Sequence, residues 1–142
     1  MLSITCKTGL RAVLFLASRV ETKEKFSIPE LAAVVEGNEH TLGKLLQTLV
    51  KNKVISSTKG PGGGFFIAPE QIQAPIWKIV LTLDGDDFFQ ACALGLSQCS
   101  ATRPCPLHNS YASVREELAA IFRSTTIQDL SKDLRTGAAF LS

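Results

Sequence analysis

A chain of 142 residues with 45% hydrophobic content is long enough for one domain, or one small domain with an appendage. Fifteen Lys and Arg against thirteen Asp and Glu leave a net charge of only +2, which excludes a basic nucleic-acid coat. No stretch approaches the ~20 uninterrupted apolar residues of a membrane span, and Lys7 and Arg11 interrupt the apolar start, so a cytoplasmic protein with no signal peptide and no membrane partner is expected. In that compartment four cysteines suit metal or redox chemistry better than a disulfide framework.

The charge is uneven along the chain: residues 1–70 hold nine Lys and Arg against six Asp and Glu, and residues 71–142 hold six against seven. From Ser3 to Val20 the residues Ile4, Leu10, Val13, Leu14, Ala17 and Val20 recur at helical spacing, which predicts an amphipathic helix with Cys6 as a packed small residue, a metal ligand donated to a partner subunit being the alternative. Ser27 to Glu30 reads as an N-cap and capping box with Pro29 in the first turn, and Leu31, Ala32, Val34 and Val35 form the buried stripe of a short second helix. Gly37 breaks it. Asn38 caps a third helix whose Leu42, Leu45, Leu46 and Leu49 face inward.

The opposite face of that third helix presents His40, Thr41, Lys44, Gln47, Thr48 and Lys51, donors and acceptors suited to base edges and phosphates. Two short helices about a glycine-containing turn make a helix-turn-helix, with the second helix as the reader of a major groove. The bland alternative is a solvated charged face. Gly43, within this helix, either permits close approach to DNA or removes a side chain that would have specified a base.

Two β-prone runs, Val54 to Lys59 and Phe65 to Ala68, flank Gly60-Pro-Gly-Gly-Gly64. Without a Gly-Lys-[Ser/Thr] ending or a following helix the loop is no nucleotide cradle, and a hairpin fits. After a recognition helix such a hairpin is a wing, with Lys59 and the bare Gly62 and Gly63 able to approach a minor groove; an ordinary surface hairpin is the alternative. Ala74 to Leu83 is expected to form a further helix, which Asp84 to Asp87 ends, and Phe88 and Phe89 lead onward as water excluders or core.

The segment Cys92 to His108 holds three of the four cysteines, with six residues between Cys92 and Cys99, five between Cys99 and Cys105, and two between Cys105 and His108. Thiolates with an imidazole suit zinc or an iron–sulfur centre and exclude calcium or magnesium. The wide spacing is poor for a zinc knuckle and lets the loop wrap a larger inorganic core, while Gly95, Pro104 and Pro106 keep it out of regular structure. Three buried small residues with a casual histidine are the alternative. His108 then opens a helix whose Leu107, Tyr111, Val114, Leu118, Ile121 and Phe122 make a stripe too long for this core and read as a dimer seam, with a packed core helix as the rival. Thr126 caps a last helix, Ile127 to Leu134, and Thr136 to Ser142 reads as tail.

The opening "GLRAVLFLA", the wing "TKGPGGGFFIA" and the Cys92, Cys99, Cys105, His108 loop before the long helix resemble the cluster-bearing branch of the Rrf-type winged-helix transcription regulators, over roughly Met1 to Phe122. Lys59 stands where the family usually carries an Arg. The resemblance implies a homodimer crossed at its long helices, two winged helices reading a palindromic double-stranded DNA operator, and a cluster-bearing loop that biases their spacing. It favours a 2Fe–2S centre on the three Cys and His108 over 4Fe–4S, and such a cluster can be lost from purified protein. The fold expected is mainly α with a small β-hairpin wing: a winged helix-turn-helix DNA-binding domain over 1–83, a cysteine-rich cluster-binding loop over 84–108, and a dimerisation helix with C-terminal tail over 109–142. The function expected is transcriptional regulation with operator affinity set by the cluster, sensing redox state, iron or nitric oxide. A cluster-free thiol sensor and a zinc-stabilised interaction module without DNA binding are the alternatives. No nucleotide or flavin motif and no acid/base pair points to an enzyme.

Overall fold

The computed structural model describes residues 2–141, so the ends of the expected segments at Met1 and Ser142 lie outside the described residues. Helix α1 (Ile4–Ser18) starts at Ser3, whose hydroxyl accepts from the Cys6 N–H at 3.0 Å. Such a cap contributes about 1 kcal/mol. Ala12, Val13, Leu16 and Ala17 bury one face of α1, whereas Ile4, expected in that stripe, is 83% exposed and stands on the outward side of the first turn, while Leu2 and Cys6 on either side of it pack inward.

Helix α2 (Ile28–Val35) and helix α3 (Glu39–Lys51) form the helix-turn-helix. Ser27 accepts from the Glu30 N–H, but its hydroxyl donates to the Glu30 carboxylate, so the returning bond of a capping box is made to the side chain rather than to the Ser27 backbone. The left-handed residue that ends α2 is Glu36 (φ +53°), one position before the expected breaker Gly37. Asn38 caps α3 by accepting from the Thr41 N–H at 3.0 Å. Leu31, Val35, Leu42, Leu45, Leu46 and Leu49 join the main core, while Val34 is turned outward.

Strands β1 (Ser56–Thr58) and β2 (Gly64–Phe66) pair antiparallel, Ser57 opposite Phe65. Phe26 adds a third, one-residue strand by exchanging both backbone hydrogen bonds with Phe65, at 2.8 and 2.9 Å. This pairing explains the glycines. A Cβ at Gly64 would meet the Phe26 carbonyl oxygen at 2.8 Å, and one at Gly63 would meet the Thr58 carbonyl oxygen at 2.4 Å. The close approach they permit is therefore within the chain itself.

Helix α4 (Trp77–Asp84) begins three residues later than expected. Ala74 precedes Pro75 and is extended, as the proline ring requires, and the segment pairs with the residues before the last helix: Ile76 N–H donates to Thr125 and Ile127 N–H to Ala74. A short helix α5 (Asp87–Gln90) holds Phe88 and Phe89. An irregular stretch, 91–107, leads to α6 (His108–Ser124) and then α7 (Ile127–Thr136), which carries a full capping box between Thr126 and Asp129. Helix α7 folds back along α1, with Ile127 fully buried in the main core and Leu130 against it.

A second, smaller core joins α1, α4, α5 and α6 through Cys6, Val80, Phe89 and Ala119. Trp77 stacks on Phe89 with ring centroids 4.0 Å apart, Phe122 meets Phe89 edge-on, and the Arg123 guanidinium lies 4.4 Å from the Trp77 ring. Phe88 and Phe89 are thus core residues between helices. No helix among the described residues is long and apolar enough to cross a membrane.

Candidate functional site

Two helices frame the cysteine-rich stretch. Helix α5 ends at Gln90, two residues before Cys92, and α6 begins at His108. Between them Gly95 takes a left-handed turn (φ +72°), and Ser100 and Arg103 exchange backbone hydrogen bonds at 3.1 and 3.2 Å. These turns return the chain on itself. The sulfurs of Cys92, Cys99 and Cys105 come within 4.8 Å of one another, those of Cys92 and Cys105 to 3.5 Å. The Cys99 sulfur lies 3.3 Å from His108 Nδ1 and accepts from the Cys105 N–H.

The local fields differ from thiol to thiol. Cys92 is brought down to about 7, chiefly by the backbone N–H of Leu96 and then that of Leu94, with the neighbouring sulfurs assisting against desolvation. At Cys99 the Cys105 N–H favours the thiolate, but desolvation and the adjacent Cys105 and Cys92 sulfurs outweigh it and the thiol is pushed up. Cys6 is separate from this group: it is fully buried in the smaller core and pushed up to about 12, mainly by burial and further by the Asp84 carboxylate. The fourth cysteine is a packed residue.

Three thiols and an imidazole are donors for zinc or an iron–sulfur centre. The 3.5 Å between the Cys92 and Cys105 sulfurs is near the ~3.8 Å edge of a tetrahedron built on about 2.3 Å metal–sulfur bonds. The space they enclose with Tyr111 and Arg115 is about 10 Å³. One ion matches that spacing as it stands, and a larger inorganic core matches the donors once the loop opens, which its lack of regular structure allows. Arg115 was not singled out by sequence reasoning. Its Nη1 donates to the Gln90 and Ala91 carbonyls at 3.1 and 2.7 Å, and the one signal for it was its position seven residues beyond His108 on the same helix.

Apart from the cysteine loop, His40, Thr41, Lys44, Gln47 and Lys51 are exposed on α3, and Lys59 is exposed at the hairpin tip with Gly62. Neither ion pair found among the described residues, Arg123–Glu116 and Arg135–Glu21, engages these lysines. The Thr48 hydroxyl is turned to the Lys44 carbonyl. Gly43 faces α2: a Cβ there would lie 3.2 Å from Ile28 Cδ1, so its smallness serves helix packing. Gly63 closes the hairpin turn.

An exposed third helix followed by a glycine-tipped hairpin, with a thiol-rich loop ahead of a long helix, defines a winged helix-turn-helix protein carrying a candidate metal centre. Residues 2–133 match the family model Rrf2, described as an iron-dependent transcriptional regulator, and the chain belongs to this family of transcriptional regulators. Among its relatives, the protein named "Putative HTH-type transcriptional regulator" of Aquifex aeolicus strain VF5 is 34% identical over 131 residues, covering 90% of this chain and 89% of the relative. The HTH-type transcriptional regulator NsrR of Geobacillus kaustophilus strain HTA426 is 27% identical over 126 residues, covering 88% and 85%. The structure of CymR, the global cysteine regulator of B. subtilis, superposes with a TM-score of 0.75 at 20% identity over 93% of this chain and 96% of that one, which establishes the shared fold.

Proposed function

We propose that this protein is a DNA-binding transcriptional regulator whose operator affinity is set by an iron–sulfur cluster held on Cys92, Cys99, Cys105 and His108. The observation that carries the reading is the convergence of three thiols and His108 at the start of α6, in a protein whose α3 face and hairpin tip leave His40, Thr41, Lys44, Gln47, Lys51 and Lys59 free. The donor set is that of a 2Fe–2S centre with three Cys and one His, which we favour over 4Fe–4S; bound there, the cluster supplies a redox- and oxidant-sensitive cross-link of the loop.

His108 and Phe122 both belong to α6, and Phe122 meets Phe89 of α5, which stacks on Trp77 of α4. Holding the loop therefore biases how α6 sits against the helix-turn-helix. The exposed Leu107, Tyr111, Val114 and Ile121 of α6 offer a self-complementary seam for a homodimer, and two copies would place two recognition helices on a palindromic duplex. The Gly62–Gly63 backbone and Lys59 would meet the phosphates or minor groove beside each α3.

The test is anaerobic purification, followed by the visible spectrum and the iron and sulfide content, then titration of promoter duplex from the protein's own gene with holo and apo protein. Red-brown protein with near-stoichiometric iron and sulfide, and at least tenfold different affinity between the two forms, supports the proposal; equal affinity removes the sensing role and leaves DNA binding. A second reading has its own observation. The Cys92 and Cys105 sulfurs lie 3.5 Å apart, and backbone N–H groups bring the Cys92 thiol down to about 7. A cluster-free regulator would oxidise this pair to a disulfide, two thiols giving two protons and two electrons to a peroxide that becomes two waters. Metal-free protein whose DNA affinity responds to peroxide selects this reading, and colourless protein holding zinc without DNA affinity selects a structural metal module.

A further inference from the structure

Arg115 is half-buried on α6, seven residues beyond His108. Seven residues is close to two helical turns, so the two side chains lie on one face. The carbonyls to which the Arg115 guanidinium donates, those of Gln90 and Ala91, lie at the C-terminal end of α5, where a helix leaves carbonyls without partners. Ala91 directly precedes Cys92. The same guanidinium lines the small cavity shared with Cys92, Cys99, Cys105 and His108, and its carbon lies 5.7 Å from the Tyr111 ring.

Among the described residues no carboxylate pairs with this group. Neither of the ion pairs among the described residues includes Arg115, and its neighbour Glu116 is taken by Arg123 at 3.0 Å. A guanidinium is always charged and is not held half-buried beside three thiols without consequence. When a metal centre binds, those thiols become thiolates, and Arg115, held by two carbonyls, is the cation that lines the cavity they share with His108.

We propose that Arg115 is the positioning residue of the cysteine loop: it clamps the entry to Cys92 onto the helix that carries His108, and its charge offsets the thiolates when metal binds. The inference rests on the metal-centre reading of the site. It adds a residue outside the ligand set, and it assigns to α6 a second hold on the loop besides His108.

The experiment is cobalt(II) titration of the full-length, reduced, metal-free protein, read by thiolate-to-cobalt absorption, for wild type, Arg115→Gln, Arg115→Lys and a Cys105→Ser control, with far-UV circular dichroism on each. Wild type is expected to bind one equivalent. Arg115→Gln should weaken cobalt binding at least tenfold with the fold retained, and Arg115→Lys should recover at least a third of that loss, a rescue that a purely packing role would not produce. Arg115→Gln within twofold of wild type, or Arg115→Lys no better than Arg115→Gln, overturns the proposal. Should Arg115→Gln fail to fold, Arg115→Lys decides against the control: binding within threefold of wild type supports the charge role, and a loss equal to that of Cys105→Ser overturns it. Wild type that gives no thiolate–cobalt absorption removes the metal-centre reading and this inference together, whereas normal wild-type binding with unaffected variants removes this inference alone.

Discussion

Lys59 stands exposed at the tip of a hairpin and in no ion pair among the described residues. If it neutralises a phosphate, Lys59→Ala should weaken duplex binding and shallow the log-affinity against log-salt slope by about one unit, measured by fluorescence anisotropy at several salt concentrations. An unchanged slope would make it a solvated cation. Asp129 carries a different prediction. Its carboxylate accepts from the Thr126 N–H at 3.0 Å while the Thr126 hydroxyl accepts in return, and the first of these bonds holds it below the usual carboxylate range. A carboxyl lowered in the folded state contributes stability above its unfolded value, near 4, and loses that contribution as pH falls through the folded value. The difference in urea midpoint between wild type and Asp129→Asn should therefore be largest at neutral pH and shrink as pH falls through the folded value; a constant difference would assign the effect to something other than this charge.

At the scale of elements, the stack of Trp77 on Phe89 against Phe122 connects α4, α5 and α6. Phe89 is 6% exposed, so Phe89→Ala should cost about 3–5 kcal/mol, read from denaturant unfolding. Trp77 is the chain's one tryptophan, and its emission should change with the same substitution, since the ring loses its stacking partner. A loss below about 1 kcal/mol with unaltered emission would show that the smaller core closes without Phe89. The position of α4 shows how tertiary pairing overrides a periodic pattern. Ile76, Ile79, Val80 and Leu83 have helical spacing from 74 onward, yet Ala74 and Pro75 are drawn into an extended bridge with Thr126, and the helix waits until Trp77.

For the whole molecule, α6 leaves one apolar stripe without a partner inside the chain: Val114 is 58% and Ile121 56% exposed, while Ala119 and Phe122 on the other side are packed inward. The long stripe expected as a single seam is thus split between an inner face and an outer one. A charge on the outer face should separate a dimer: Ile121→Glu is expected to shift sedimentation from dimer to monomer at tens of micromolar with the helical content unchanged. A wild-type monomer at that concentration would leave the stripe without this role.

The amino-acid pattern by itself determined the helix-turn-helix, the hairpin, the long helix and the metal-type donors. Each rests on short-range rules: leucines on one face of α3, caps at Ser27, Asn38 and Thr126, and a loop of Gly and Pro between strand-forming runs. Soft ligands at Cys92, Cys99, Cys105 and His108 were legible because donor chemistry does not depend on fold. Tertiary structure decided what depends on distance along the chain. It turned Gly43, Gly63 and Gly64 to face the protein's own atoms, placed Cys6 in a core apart from the other thiols, returned α7 to α1, and set Arg115 against the carbonyls before Cys92. Those contacts join residues whose separation in sequence carries no periodic signal, and only packing brings them together.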